Sequence, residues 1–167
     1  DAEGVEVGIA RTEPPFDEEP MINEIERLYI AGIQSARDYI YIESQYLAAA
    51  SVCDALKTRL AEEDGPEIVI INPRDAESQL EDDAMHVLRE RLVEELKRAD
   101  HQNRFRIYFP VTEEGEPIYV HAKIMIIDDH LLRLGSSNLN NRSMGFDTEC
   151  DVAIEHPAEV IEGFRTR

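Results

Sequence analysis

The stretch that decides the fold runs His121-Ala122-Lys123-Ile124-Met125-Ile126-Ile127-Asp128 and, after Asp129-His130, continues as Leu131-Leu132-Arg133-Leu134-Gly135-Ser136-Ser137-Asn138. Two β-rich apolar runs around a polar turn read as a hairpin, Ile118 to Ile127 and Leu131 to Leu134. A strand sends alternate side chains to opposite faces, so His121 and Lys123 point the same way about 7 Å apart. Met125 and Ile127 continue that face, while Val120, Ala122, Ile124 and Ile126 fill the other. Ionisable groups in so apolar a strand carry a desolvation cost that needs a reason. Lysine is a poor metal ligand and a good cationic partner for phosphate oxygens. Histidine titrates near neutrality and suits nucleophilic or acid–base work. The pair therefore points to phosphoryl chemistry without a metal or other cofactor. Pairing across the hairpin brings Gly135-Ser136 back beside His121-Lys123. There the hydroxyls of Ser136 and Ser137, the Asn138 amide and backbone N–H groups form a cradle for an anion.

Outward from the hairpin, strands alternate with helices. Val5 to Ala10 reads as an entering strand and Met21 to Ala36 as a helix with one apolar face. Tyr39 to Ile42 is a β-rich run. Ser51 and Asp54 suit the cap of a helix whose inner face is Val52, Ala55, Leu56 and Leu60. Ile68 to Ile71 reads as a buried strand ended by Asn72-Pro73. Asp82-Asp83 favours the start of a long helix with Met85, Leu88, Leu92 and Leu96 facing inward. Phe105 to Phe109 and Asp151 to Glu155 are further strands, and a short helix begins at Pro157. The pattern defines an α/β domain, residues 1–167, with a mixed β-sheet flanked by helices on both faces.

Lys and Arg total 17 against 36 Asp and Glu, a formal net charge of −19. Such a chain repels polyanions, so nucleic acid and anionic membrane surfaces are disfavoured as partners. The acid excess avoids the hairpin: residues 101–147 carry 5 Lys and Arg against 6 Asp and Glu. Local charge governs the capture of a single phosphodiester. No apolar run is long enough to cross a membrane, and the compartment is undecided. Cys53 and Cys150 lack metal-site spacing and read as buried free thiols.

The spacing His121-x-Lys123, four residues, Asp128, six residues, Gly135-Ser136-x-Asn138 resembles the signature of the phospholipase D superfamily at every fixed position. Asn140 to Met144 and Asp147 to Glu149 look like the family's continuation. Tyr41 to Leu47 is similar to the stretch opening the second half of eukaryotic-type phospholipases D, with Ser44 and Leu47 where that group more often has Asn and Phe. The resemblance implies the phospholipase D/nuclease-like fold. It also implies a two-step exchange: one histidine attacks phosphorus, a second protonates the leaving alkoxide, and water or an alcohol releases the phosphatidyl group. It assigns His121 the acid–base part and Lys123 and Asn138 the non-bridging oxygens. It implies that Glu149 hydrogen-bonds a catalytic histidine and fixes its tautomer, and that Asp128 and Gly135 shape the motif. Glu43, Gln45 and Tyr46 carry no site role in this reading.

The family site needs two such motifs. His86, His101, His130 and His156 are never followed two places later by Lys, so this chain has one. Its partner is then either a missing N-terminal half or a homodimer partner. The chain starts at Asp1 rather than Met and carries the family-like 39–47 stretch, which favours a C-terminal half acting on phospholipid at a membrane surface. The alternatives are a dimeric single-motif phosphodiesterase or nuclease, a cardiolipin-synthase-like phosphatidyl transferase, and a half-domain inactive on its own.

Overall fold

The computed structural model describes residues 5–74 and 79–155, with only the backbone of residues 79–86. Eight strands form one sheet: β1 (Val7–Glu13), β2 (Ile22–Asn23), β3 (Tyr39–Ser44), β4 (Glu67–Ile71), β5 (Phe105–Tyr108), β6 (Lys123–Ile127), β7 (Leu131–Gly135) and β8 (Glu149–Glu155). Their spatial order is β2-β1-β8-β7-β6-β3-β4-β5. The β3-β4-β5 ladders are parallel and all others antiparallel, so the sheet is mixed as expected.

Helices α1 (Glu24–Ser35), α2 (Ala50–Ala61) and α3 (Gln79–Ala99) pack on one face of this sheet, and the short α4 (Asn141–Gly145) precedes β8. The main core joins Ile25, Tyr29 and Ile33 of α1, Val52, Leu56 and Leu60 of α2, and Leu92 and Leu96 of α3 to Ile40, Ile42, Ile68, Ile70, Met125 and Ile127 of the strands. α1 comes close: a β-carbon on Gly32 would stand 3.0 Å from Met125 Cε and 3.1 Å from Leu131 Cδ2. The opposite face holds a smaller cluster, Ile126 and Leu132 with Tyr39, Tyr41, Ile124, Leu134 and Ile154, and no described helix joins it. The structure shows the expected mixed sheet with helices, and the helices among the described residues lie on one face. The reason is topological. β3, β4 and β5 step steadily outward, and right-handed crossovers taken in one direction put α2 and α3 on one side. The helix expected from Pro157 lies outside the described residues, as does the Met85 side chain.

Several boundaries differ from the sequence reading. β1 runs on to Glu13 because β8 pairs with it as far as Thr12↔Glu149. Two residues before α1 join the sheet as β2, which pairs with the end of β1. α2 takes no cap from Ser51 or Asp54. The Ala50 N–H is instead satisfied by Asn141 Oδ1 at 2.9 Å, and Ser51 Oγ donates to Glu26 at 2.6 Å. β6 begins at Lys123 rather than Ile118, since β3, its partner, ends at Ser44 opposite Lys123. Cys53 is buried, but Cys150 is exposed, a correction to the expected pair of buried thiols.

Candidate active site

The C-terminal ends of β3 and β7 and the starts of β6 and β8 meet at one end of the sheet. Register places Lys123 beside Ser44, and Gly135 beside Asp151. His121 lies just ahead of β6, exposed, outside the ladder that sequence periodicity extends to it. Its ring lies against Tyr119 with centroids 6.3 Å apart and planes 20° apart. Lys123, half-buried, donates from Nζ to the His121 carbonyl at 3.0 Å. Burial lowers its pKa, Glu149 opposes that shift, and Arg133 adds to it.

Glu149, the first residue of β8, closes the other side. Its carboxylate accepts from Ser136 Oγ at 2.5 Å and from Ser143 Oγ at 2.7 Å. Both hydroxyl contacts hold the carboxylate at the edge of the site. The Asn138 N–H donates to Ser143 Oγ at 3.1 Å, which ties the site loop to α4. The Asn138 side-chain oxygen is buried with no hydrogen-bond partner. α4 is itself capped by Asn140, whose Oδ1 accepts from the Ser143 N–H at 2.8 Å.

Ser137 does not face the cradle, and its expected phosphate contact is corrected here. It is fully buried, with Oγ donating to Asp151 Oδ2 at 2.7 Å and its N–H donating to Oδ1 at 3.1 Å. Arg133 completes this cluster. Its Nε donates to Asp151 Oδ2 at 2.8 Å, its Nη2 bonds Asp151 and Ser137, and the guanidinium stands 4.6 Å from the centroid of the Tyr29 ring. Both charges are fully buried. Arg133 thus sits at the base of the site loop as a fixed frame, and sequence reading passed it over inside the apolar run Leu131 to Leu134. The available signal was alternation: Arg133 shares a face with Leu131, and a charge on a core face demands a counter-charge.

Asp128 lies at the far end of β6 from His121. Its carboxylate accepts from the backbone N–H groups of Arg37, Asp38 and Tyr39 at 2.5, 2.9 and 2.6 Å, with its own φ at 46°. It therefore pins the hairpin turn to the start of β3. Gln45, given no role by the sequence, is buried. It donates from Nε2 to the Tyr119 hydroxyl at 2.6 Å and to the Tyr46 hydroxyl at 2.9 Å. Among the described residues, no three His, Cys, Asp or Glu side chains gather as metal ligands, and no helix is long and apolar enough to cross a membrane.

Comparison with known proteins places the fold in a family. Residues 29–166 match the family described as cardiolipin synthase, PLD-like domain. An uncharacterized protein of Streptococcus mutans is 31% identical over 138 residues, covering 81% of this chain and 27% of that protein. Phospholipase D A of Dictyostelium discoideum is 25% identical over 163 residues, covering 78% of this chain and 13% of that protein. Among solved structures, the chain is similar to Nuc, a phospholipase D family member from Salmonella typhimurium, with TM-score 0.70 and 15% identity, covering 96% of this chain and 90% of that one. The phosphatidylserine synthase of Haemophilus influenzae gives TM-score 0.70 and 15% identity, covering 96% and 37%. The fold and site define a phosphodiesterase-type domain. The chain belongs to the phospholipase D superfamily, through its PLD-like domain, and spans a small fraction of the length of the curated relatives it matches.

Proposed function

We propose that this chain supplies one of two catalytic motifs for phosphodiester hydrolysis or transphosphatidylation of a glycerophospholipid, through a phosphohistidine intermediate. The observation that carries the reading is the arrangement at one end of the sheet, where His121 and Lys123 enter β6 and Asn138 and Glu149 flank the loop after β7.

In the first step a histidine nitrogen of the second motif attacks phosphorus, and the bond to the leaving alkoxide breaks. His121, as imidazolium, gives that alkoxide its proton. Neutral His121 then takes a proton from water or an alcohol, whose oxygen attacks phosphorus while the phosphorus–nitrogen bond breaks. Lys123 and the Asn138 amide hold the non-bridging oxygens as charge moves onto them. Burial of the Lys123 ammonium strengthens that contact, because fewer waters compete for it. Ser136 is exposed beside the loop, and its hydroxyl proton turns from Glu149 to a phosphate oxygen when substrate enters.

The second motif comes from a missing half or from a homodimer partner. The acidic charge favours lipid over nucleic acid as substrate. Choline release from short-chain phosphatidylcholine, run beside DNA cleavage and a scattering mass, tests the reading. Lipid turnover supports it; DNA cleavage by a tight dimer, with no lipid turnover, overturns it.

A further inference from the structure

We propose that Tyr119, braced by Gln45, is the positioning residue for the His121 imidazole. The inference rests on the reading that His121 moves a proton. A proton carrier must hold one ring orientation, and an exposed histidine ahead of a strand has no ladder to hold it. The hydrogen bonds of the Glu149 carboxylate among the described residues run to Ser136 and Ser143, not to His121. The ring that lies beside His121 is Tyr119, with centroids 6.3 Å apart and planes 20° from parallel, within the range of offset stacking.

Tyr119 is itself fixed at its far end. Its hydroxyl accepts from Gln45 Nε2 at 2.6 Å, and Gln45 is buried directly after the end of β3, beside the Ser44–Lys123 pair. The chain of contact therefore runs from the sheet through Gln45 and Tyr119 to the imidazole. It also gives a use to Gln45, a buried amide that the exchange chemistry leaves idle. A stacked ring limits rotation while leaving both imidazole nitrogens free for protons, which an oriented hydrogen bond to a carboxylate does not.

The test uses the active assembly, with Tyr119→Ala, Tyr119→Phe and Gln45→Leu compared on soluble short-chain phosphatidylcholine. Tyr119→Ala lowers kcat by about ten- to hundredfold with KM within about twofold, the loss typical of a misplaced catalytic group. Tyr119→Phe and Gln45→Leu, which keep the ring and remove its brace, lose a smaller part. The acid limb of the pH–kcat profile and the ring-current shift of the His121 protons move in Tyr119→Ala and largely recover in Tyr119→Phe. A KM rise at unchanged kcat makes Tyr119 a substrate contact and overturns the proposal. Unchanged kcat in all three variants does the same. If Tyr119→Ala fails to fold, Gln45→Leu and Tyr119→Phe decide by the same two readouts. If the unaltered assembly turns over no phosphodiester, the ring-current shift separates the cases: its loss in Tyr119→Ala keeps the stacking and discards the reading of function.

Discussion

Gly135 stands so close to Asp151 that a β-carbon there would lie 2.1 Å from Oδ1 and 2.6 Å from Cα of that residue. The aspartate fills the space a side chain would occupy and reaches Arg133 and Ser137 through it. Glycine in the motif is thus a requirement of close approach rather than of a positive φ. We predict that Gly135→Ala destabilises the fold by about 1–3 kcal/mol, the range for overpacking a filled site. An unchanged urea midpoint would remove this explanation.

The Arg133–Asp151 pair itself sets a second expectation. Removing one partner strands a buried charge, so Asp151→Ala costs about 3–5 kcal/mol. Arg133→Met combined with Asp151→Leu costs less than the sum of the single changes, because no charge is left unpaired. A double-mutant cycle by denaturant unfolding reads the coupling, and strict additivity contradicts it.

Asp128 acts through three backbone N–H groups at the far end of β6. Asp128→Ala therefore lowers stability by about 2–3 kcal/mol, as charge-assisted hydrogen bonds are lost and a residue with positive φ loses its favoured side chain. Specific activity per folded molecule stays within about twofold, on the reasoning that nothing catalytic touches it. A large fall in kcat at intact stability would place Asp128 in the chemistry.

How much of this was legible in the sequence depends on the range of each interaction. The hairpin, the parallel β3-β4-β5 segment and the inner faces of α1 and α2 follow from local periodicity, and His121, Lys123, Asn138 and Glu149 come to one end of the sheet because strand register brings them there. The start of β6 was not legible, because a strand ends where its partner ends, and Ser44 is 79 positions from Lys123. Ser137 and Asp151 were misjudged or passed over for a related reason. A serine in a polar turn reads as exposed until Arg133 is seen beneath it. Gln45 and Tyr119 meet across 74 positions, and neither residue type signals that contact alone.

Alkaline stability follows from two buried acids. Burial pushes the Cys53 thiol up to about 12, and burial, opposed by Arg133, pushes the Tyr29 phenol up to about 12. The unfolded chain loses these protons first, so the stability they contribute is complete below about pH 8.5 and falls as pH rises towards the folded values. Lys123, lowered by burial, acts in the opposite sense with a single group. Urea midpoints at pH 8 and pH values above about 10 compare the two states. A midpoint that rises with pH contradicts the assignment.

The same burial separates the two thiols. Cys150 is exposed and Cys53 buried, so iodoacetamide labels one thiol in the native chain and the second only on unfolding. Equal labelling rates would count against the packing of α2.

The central claim is that His121 carries a proton in a phosphodiester exchange. His121→Asn in the active assembly removes the proton carrier and little volume, and His121 is exposed, so the fold is retained. Turnover of short-chain phosphatidylcholine by this variant tests the claim most directly. The account predicts a fall of at least about 10²–10⁴-fold in kcat with an unaltered unfolding midpoint; turnover at the unaltered rate would contradict it.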